Sequence, residues 1–101
     1  PTAVFAANDI VAMGVLTAAS ELGLRVPQDL SVVGYDNTHL AAVNQISLTS
    51  VDQPRRAMGR SAAALLSDRI SEPGKSSRLR QVTPQLVVRR STGAVPSEVQ
   101  S

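Results

Sequence analysis

Three polar groups in this chain follow closely on runs of apolar, strand-forming residues. Asn8-Asp9 comes after Ala3-Val4-Phe5-Ala6, Asp36 after Ser31-Val32-Val33-Gly34-Tyr35, and Gln53 after Leu48-Thr49-Ser50-Val51. If these runs are parallel strands joined by helix and loop crossovers, the polar groups converge on one sheet edge. Ligands of open α/β sheets bind there, outside the carboxyl ends of the strands. Amides and a carboxylate held close together suit the hydroxyls of a sugar or polyol. The carboxylate accepts charge-assisted hydrogen bonds, and each amide both donates and accepts. The same residues have a purely structural use: Asn8, Asp9 and Gln53 as helix caps, Asp36 as a turn former. Spacing alone leaves both uses open.

Other chemistries find little support. The chain has no cysteine, which removes disulfides, thiolate metal sites and cysteine nucleophiles. His39 is the only histidine, a poor basis for a metal site, and no base–nucleophile pair can be assembled around it. No G-x-S-x-G, P-loop or G-x-G-x-x-G is present. A non-enzyme without cofactor or metal is expected.

The elements that must position these groups read as alternating strands and helices. Residues 3–7 form a short strand, and Asn8-Asp9 opens a helix that runs to about Leu22. Val11, Val15, Ala18 and Leu22 recur at helical spacing and define its core face. Gly23 ends it in a left-handed cap, with Leu24 supplying an apolar contact. A second apolar set, Ile10, Met13, Leu16 and Thr17, suits either another subunit or further parts of the same protein. Val32 and Val33 read as a strand buried on both faces, which Gly34 lets the backbone leave. Residues 37–44 form a loop or short helical turn, and residues 48–51 a third strand. Pro54 begins a second long helix whose core face is Gly59, Ala63, Leu66 and Ile70, with Asp52 and Arg56 spaced for an ion pair. Glu72-Pro73-Gly74 stops it. Residues 80–83 read as extended, residues 85–90 as a closing strand, and residues 93–101 as a disordered tail.

Composition agrees with a small α/β domain. Apolar residues make up 43% of the 101 positions and charged residues 18%, so the chain is globular rather than disordered. Phe5 and Tyr35 are the only aromatics, so the core must be aliphatic and alanine-rich. The abrupt start at Pro1-Thr2 fits the C-terminal portion of a larger protein better than a complete one. Arginine supplies nine of the ten basic residues, but scattered as on solvated faces rather than gathered into a nucleic-acid patch. No run of 18 apolar residues spans a membrane.

Residues 23–36, Gly-Leu-Arg-Val-Pro-Gln-Asp-Leu-Ser-Val-Val-Gly-Tyr-Asp, closely resemble the effector-domain signature of the lactose-repressor (LacI/GalR) family of bacterial transcription regulators. Phe5–Gly14 resembles the family's strand–Asn-Asp–helix segment. Leu48–Pro54 is similar to its Leu-Thr-Thr-Val-x-Gln-Pro crossover, and Gln85–Thr92 to its closing strand. The resemblance covers nearly the whole chain. It implies the C-terminal part of a type I periplasmic-binding-protein-like fold over residues 1–92, a parallel-core sheet flanked by helices. The helix-turn-helix domain and the N-terminal subdomain would lie upstream. Asn8 and Asp36 would contact a small effector, such as a sugar or related metabolite. Gln53 would line the same cleft, and Asp9 would cap the helix. Met13, Thr17, Leu40, Ala41 and Val43 would form a homodimer interface. Asn37 stands where many relatives carry a second Asp. The implied protein is a cytoplasmic repressor that reaches operator DNA through its upstream domain. A periplasmic sugar-binding protein of a transporter shares fold and cleft, but residues 26–36 favour the regulator.

Overall fold

The structure is a computed structural model and describes residues 1–97. Seven elements follow in chain order. These are β1 (Ala3–Phe5), α1 (Asp9–Glu21), β2 (Ser31–Tyr35), α2 (His39–Ala42), β3 (Thr49–Asp52), α3 (Arg55–Ser71) and β4 (Gln85–Val87). The strands form one sheet in the order β1-β2-β3-β4. The first three are parallel, with Phe5 opposite Val33 and Tyr35 opposite Val51. β4 returns antiparallel to β3, pairing Asp52 with Gln85. The expected parallel α/β core is therefore present.

Small residues set how the layers approach. The core consists of Ala6, Ala12, Ala19, Leu30, Val32, Ala41 and Leu48, aliphatic and alanine-rich as the composition demands. α1 meets the sheet through Ala12 and Ala19, with Met13, Val15 and Leu16 half-buried against the core. This differs from the expected face. Val11 is 47% exposed and Leu22 75%, and Ala18 is also exposed. Alanine lets the helix axis come close to the strands, so the larger Val11 and Leu22 turn outward while the overlapping stripe takes the contact.

β2 passes beneath α1. Val32 and Gly34 alternate onto the same face and are both buried, whereas Val33 on the other face is only half-covered. Gly34 is needed for room rather than for backbone freedom. A Cβ there would stand 2.3 Å from Asp9 Oδ1 and 2.8 Å from Leu48 Cδ2. The chain turns two residues later, where Asp36 and Asn37 take φ of 100° and 49°. Asp and Asn are the non-glycine types that best tolerate this region. On the approach to β2, Arg25 donates to Asp29 through its main-chain N–H at 2.7 Å and through its guanidinium. Those bonds hold the Asp29 carboxyl below its ordinary range.

Ser91 closes the opposite end of the sheet. Its N–H donates to Ser47 O, and its carbonyl accepts from Val32 N–H. Its hydroxyl donates to Val32 O at 2.5 Å and accepts from Thr49 N–H at 2.8 Å. The residue thus fills the opening between β2 and β3 with every polar atom used. The segment expected as a tail begins with an anchored residue: Gly93 N–H donates to Ser31 Oγ at 3.1 Å. Residues 98–101 of that expected tail lie outside the described residues.

Two compact units are distinguished, residues 1–52 with 85–101, and residues 53–84. The second consists of α3 and the chain that follows it. No residue of α3 is buried, and the expected face is largely open, with Leu66 61% and Ile70 71% exposed. The half-buried positions are instead Ser61, Leu65 and Asp68, one helical stripe away. Glu72 ends the helix where Glu72-Pro73-Gly74 was expected to stop it. Asp68 pairs with Arg78 and Glu72 with Lys75. Residues 80–83, read as extended, belong to no strand.

Gly34→Ala is expected to destabilise the fold by about 2–3 kcal/mol, because its methyl group must displace both the Asp9 carboxylate and the Leu48 side chain. A urea midpoint equal to that of the parent protein would refute this account of Gly34.

Candidate functional site

The parallel order of β1, β2 and β3 puts the residues after their C-terminal ends along one edge. Asn8 and Asp36 both lie there, as expected from the sequence. Asn8 is the N-cap of α1, and its Oδ1 accepts from Val11 N–H at 2.9 Å. The side-chain oxygen of Asn8 is thus engaged by the helix. Asp36 is half-buried one residue beyond β2, and its N–H donates to Val51 O at 2.9 Å. The ladder between β2 and β3 thus extends as far as Asp36.

Asp9 departs from its expected role. It does not cap α1 but is completely buried, and its carboxylate crosses Gly34 to reach two other elements. Oδ1 accepts from Ser50 Oγ at 2.6 Å, while Oδ2 accepts from Thr38 N–H at 2.6 Å and from Thr38 Oγ1 at 2.8 Å. Ser50 Oγ in turn accepts from Asn37 N–H at 2.9 Å. Asn37 Nδ2 donates to Asp52 Oδ1 at 3.0 Å, a contact across the sheet end that the spacing of Asp52 and Arg56 does not suggest. The turn carrying Asp36 is therefore held from α1, from β3 and by its own continuation into α2.

Sequence reasoning missed Ser50, Thr38 and Ser91. Ser50 carried a usable signal, a hydroxyl inside a strand of otherwise buried residues, where a partner is obligatory. Gln53 is the first residue of the second unit, one position past the end of β3, and is half-buried. Of the residues expected at a dimer interface, Leu40 and Val43 are 45% and 40% exposed, Thr17 is exposed and Met13 half-buried. Ala41 must be withdrawn from that set. It is fully buried in the chain's own core, and its carbonyl accepts from Leu48 N–H. Beside α1, a hollow of about 400 Å³ is lined by Met13, Leu16, Thr17, Gln45 and Ile46 among others. Among the described residues, no group of His, Cys, Asp or Glu could hold a metal ion, and no helix is long and apolar enough to cross a membrane.

Asp9→Ala should cost about 3 kcal/mol, since it leaves three buried or half-buried donors without their acceptor. Chemical denaturation showing a loss below that of an ordinary surface substitution would remove Asp9 from this role.

Comparison with known proteins agrees with the architecture. Residues 1–92 match the family model of the periplasmic binding protein-like domain. The chain is 49% identical over 96 residues to the HTH-type transcriptional repressor PurR of Pectobacterium carotovorum subsp. carotovorum (strain PC1), spanning 95% of this chain and 28% of that protein. Among solved structures, it resembles the transcriptional regulator CelR in complex with cellobiose, with a TM-score of 0.79 and 42% identity, covering 89% of this chain and 28% of that one. It also resembles a LacI family transcriptional regulator from Enterococcus faecium with bound ribose, with a TM-score of 0.78 and 36% identity, covering 90% and 34%. With parallel strands ending on a shared polar edge and the signature segments in order, the chain belongs to the LacI family of transcription regulators, within their periplasmic binding protein-like domain.

Proposed function

We propose that this chain is the ligand-sensing and dimerising portion of a bacterial transcription regulator that responds to a small polyhydroxylated effector, a sugar or related metabolite. The observation that carries the reading is the placement of Asp36, held just beyond β2 by its own N–H and by the bonds of its neighbours. A carboxylate whose main chain is already fixed at the C-terminal edge of parallel strands suits hydroxyl donors, because less of the site must be ordered on binding. Asn8 adds an amide donor from the start of α1, and by resemblance Gln53 is the third contact. The reaction is binding alone, with no chemical step. The relatives are repressors rather than transport proteins, which favours the regulator over a periplasmic solute carrier.

Because the chain spans 28% of its curated relative, the rest of the reading concerns the whole protein. The helix-turn-helix domain and the other effector subdomain lie upstream in that reading, and operator DNA is reached only through them. The exposed apolar residues of α3 suit burial by such additional chain. Effector binding would shift the population between DNA-binding and released states, and the site of action is the cytoplasm.

Asp36→Ala is expected to weaken binding of ribose or cellobiose by roughly 10- to 150-fold while the fold persists, because a charge-assisted hydrogen bond is lost. Calorimetry giving the parental affinity for a sugar that binds would sink the assignment of Asp36.

The dimer is the second half of the proposal. The hollow beside α1, with Leu40 and Val43 exposed nearby in sequence on and after α2, supports an interface between two copies. Met13→Glu should weaken association by several kcal/mol, since a carboxylate would be carried into an apolar contact. Sedimentation showing an equally tight dimer would exclude Met13 from it.

A further inference from the structure

The side chain of Asn37 occupies an unusual bonding position. Its Nδ2 donates to Asp52 Oδ1 at 3.0 Å, while its Oδ1 is buried without a donor. A buried acceptor left unmade is costly, and turning the amide over would give that oxygen a second acceptor, Asp52, as its neighbour. Asp52 therefore dictates the orientation of the Asn37 amide. The two residues sit at consequential places. Asn37 adjoins Asp36 in the left-handed turn after β2. Asp52 ends β3 and pairs with Gln85, so it stands where the chain leaves the sheet and where it returns.

We infer that Asn37 is a positioning residue that locks the main chain at Asp36 onto the end of β3 through its bond to Asp52. The inference deepens the effector-binding reading of Asp36 and rests on it for its functional meaning. An acidic residue at position 52 requires an amide rather than a carboxylate at position 37. Asp at 37 would tolerate the same positive φ, so the backbone is not what excludes it. It would instead place two carboxylates at hydrogen-bond distance with no proton donor between them. In this chain, specificity at the turn thus comes from a matched Asn–Asp pair.

The test uses the full chain and compares the parent with Asn37→Asp, Asp52→Asn and the double variant Asn37→Asp with Asp52→Asn. Hydrogen exchange of the Asp36 amide, which bonds to Val51 O, needs no ligand. Asn37→Asp should lower its protection at least about tenfold, and adding Asp52→Asn should recover most of that loss, since the amide then sits on the other partner. Equal protection in Asn37→Asp overturns the proposal. So does failure of the double variant to recover protection when its melting temperature matches the parent. If Asn37→Asp does not fold, Asn37→Ala with Asp52→Ala replaces the pair, and strictly additive losses of protection then refute the coupling. Titration with ribose and cellobiose separates this from the underlying reading. An unaffected Asp36→Ala removes the effector role alone, whereas a weakened Asp36→Ala beside an unaffected Asn37→Asp removes the positioning role alone.

Discussion

One carboxylate holds together the edge at which the parallel strands end. Asp9 reaches over the bare backbone of Gly34 and takes donors from Ser50 and Thr38, thereby joining the first helix, the central strand pair and the turn after β2. Burial of such a group is costly unless it finds hydrogen-bond partners, and here three donors come from two separate parts of the chain. Other choices follow from it. Residue 34 must lack a side chain, α1 must approach on alanines, and the strand residue facing the helix start must be a hydroxyl. Asp9 thereby leaves the cap of α1 to Asn8, and through Thr38 it anchors the chain two residues beyond Asp36.

Much of the fold could be read from residue order. The runs 3–6, 31–35 and 48–51 have the β-branched and apolar character of parallel strands, and the crossovers between them are long enough to keep them parallel. The polar residues after each run marked the edge, and the shortage of aromatics implied the aliphatic, alanine-rich core. Roles within pairs of neighbours were harder to read. Asn8 and Asp9 are both good caps, and only tertiary donors 29 and 41 residues away decide which one turns inward. The face of α1 was misread for a similar reason. Two apolar stripes overlap, and bulk pointed to Val11 and Leu22, whereas close approach selects Ala12 and Ala19.

Other features had no local signal at all. Ser91 is an ordinary residue after a strand, yet it satisfies main-chain groups of Val32, Ser47 and Thr49 where two strands part. Nothing about its neighbours announces that. α3 shows the opposite limit. Its periodicity is that of a core helix, but within its own unit no residue is buried, because amphipathicity records that a face is to be covered and not by what. Similarity to longer regulators supplies the context that the pattern lacks.

The pairing of Asp52 with Gln85 makes residues 53–84 an excursion whose two ends meet at a single rung of the ladder. In topological terms the sheet is indifferent to what is inserted there. A two-residue reverse turn would convert β3 and β4 into a plain hairpin and leave every other hydrogen bond of the sheet where it is. A gene encoding this fold could therefore exchange or lengthen the segment beyond Gln53 without rebuilding the edge that carries Asn8 and Asp36, so that edge and the excursion are free to diversify separately.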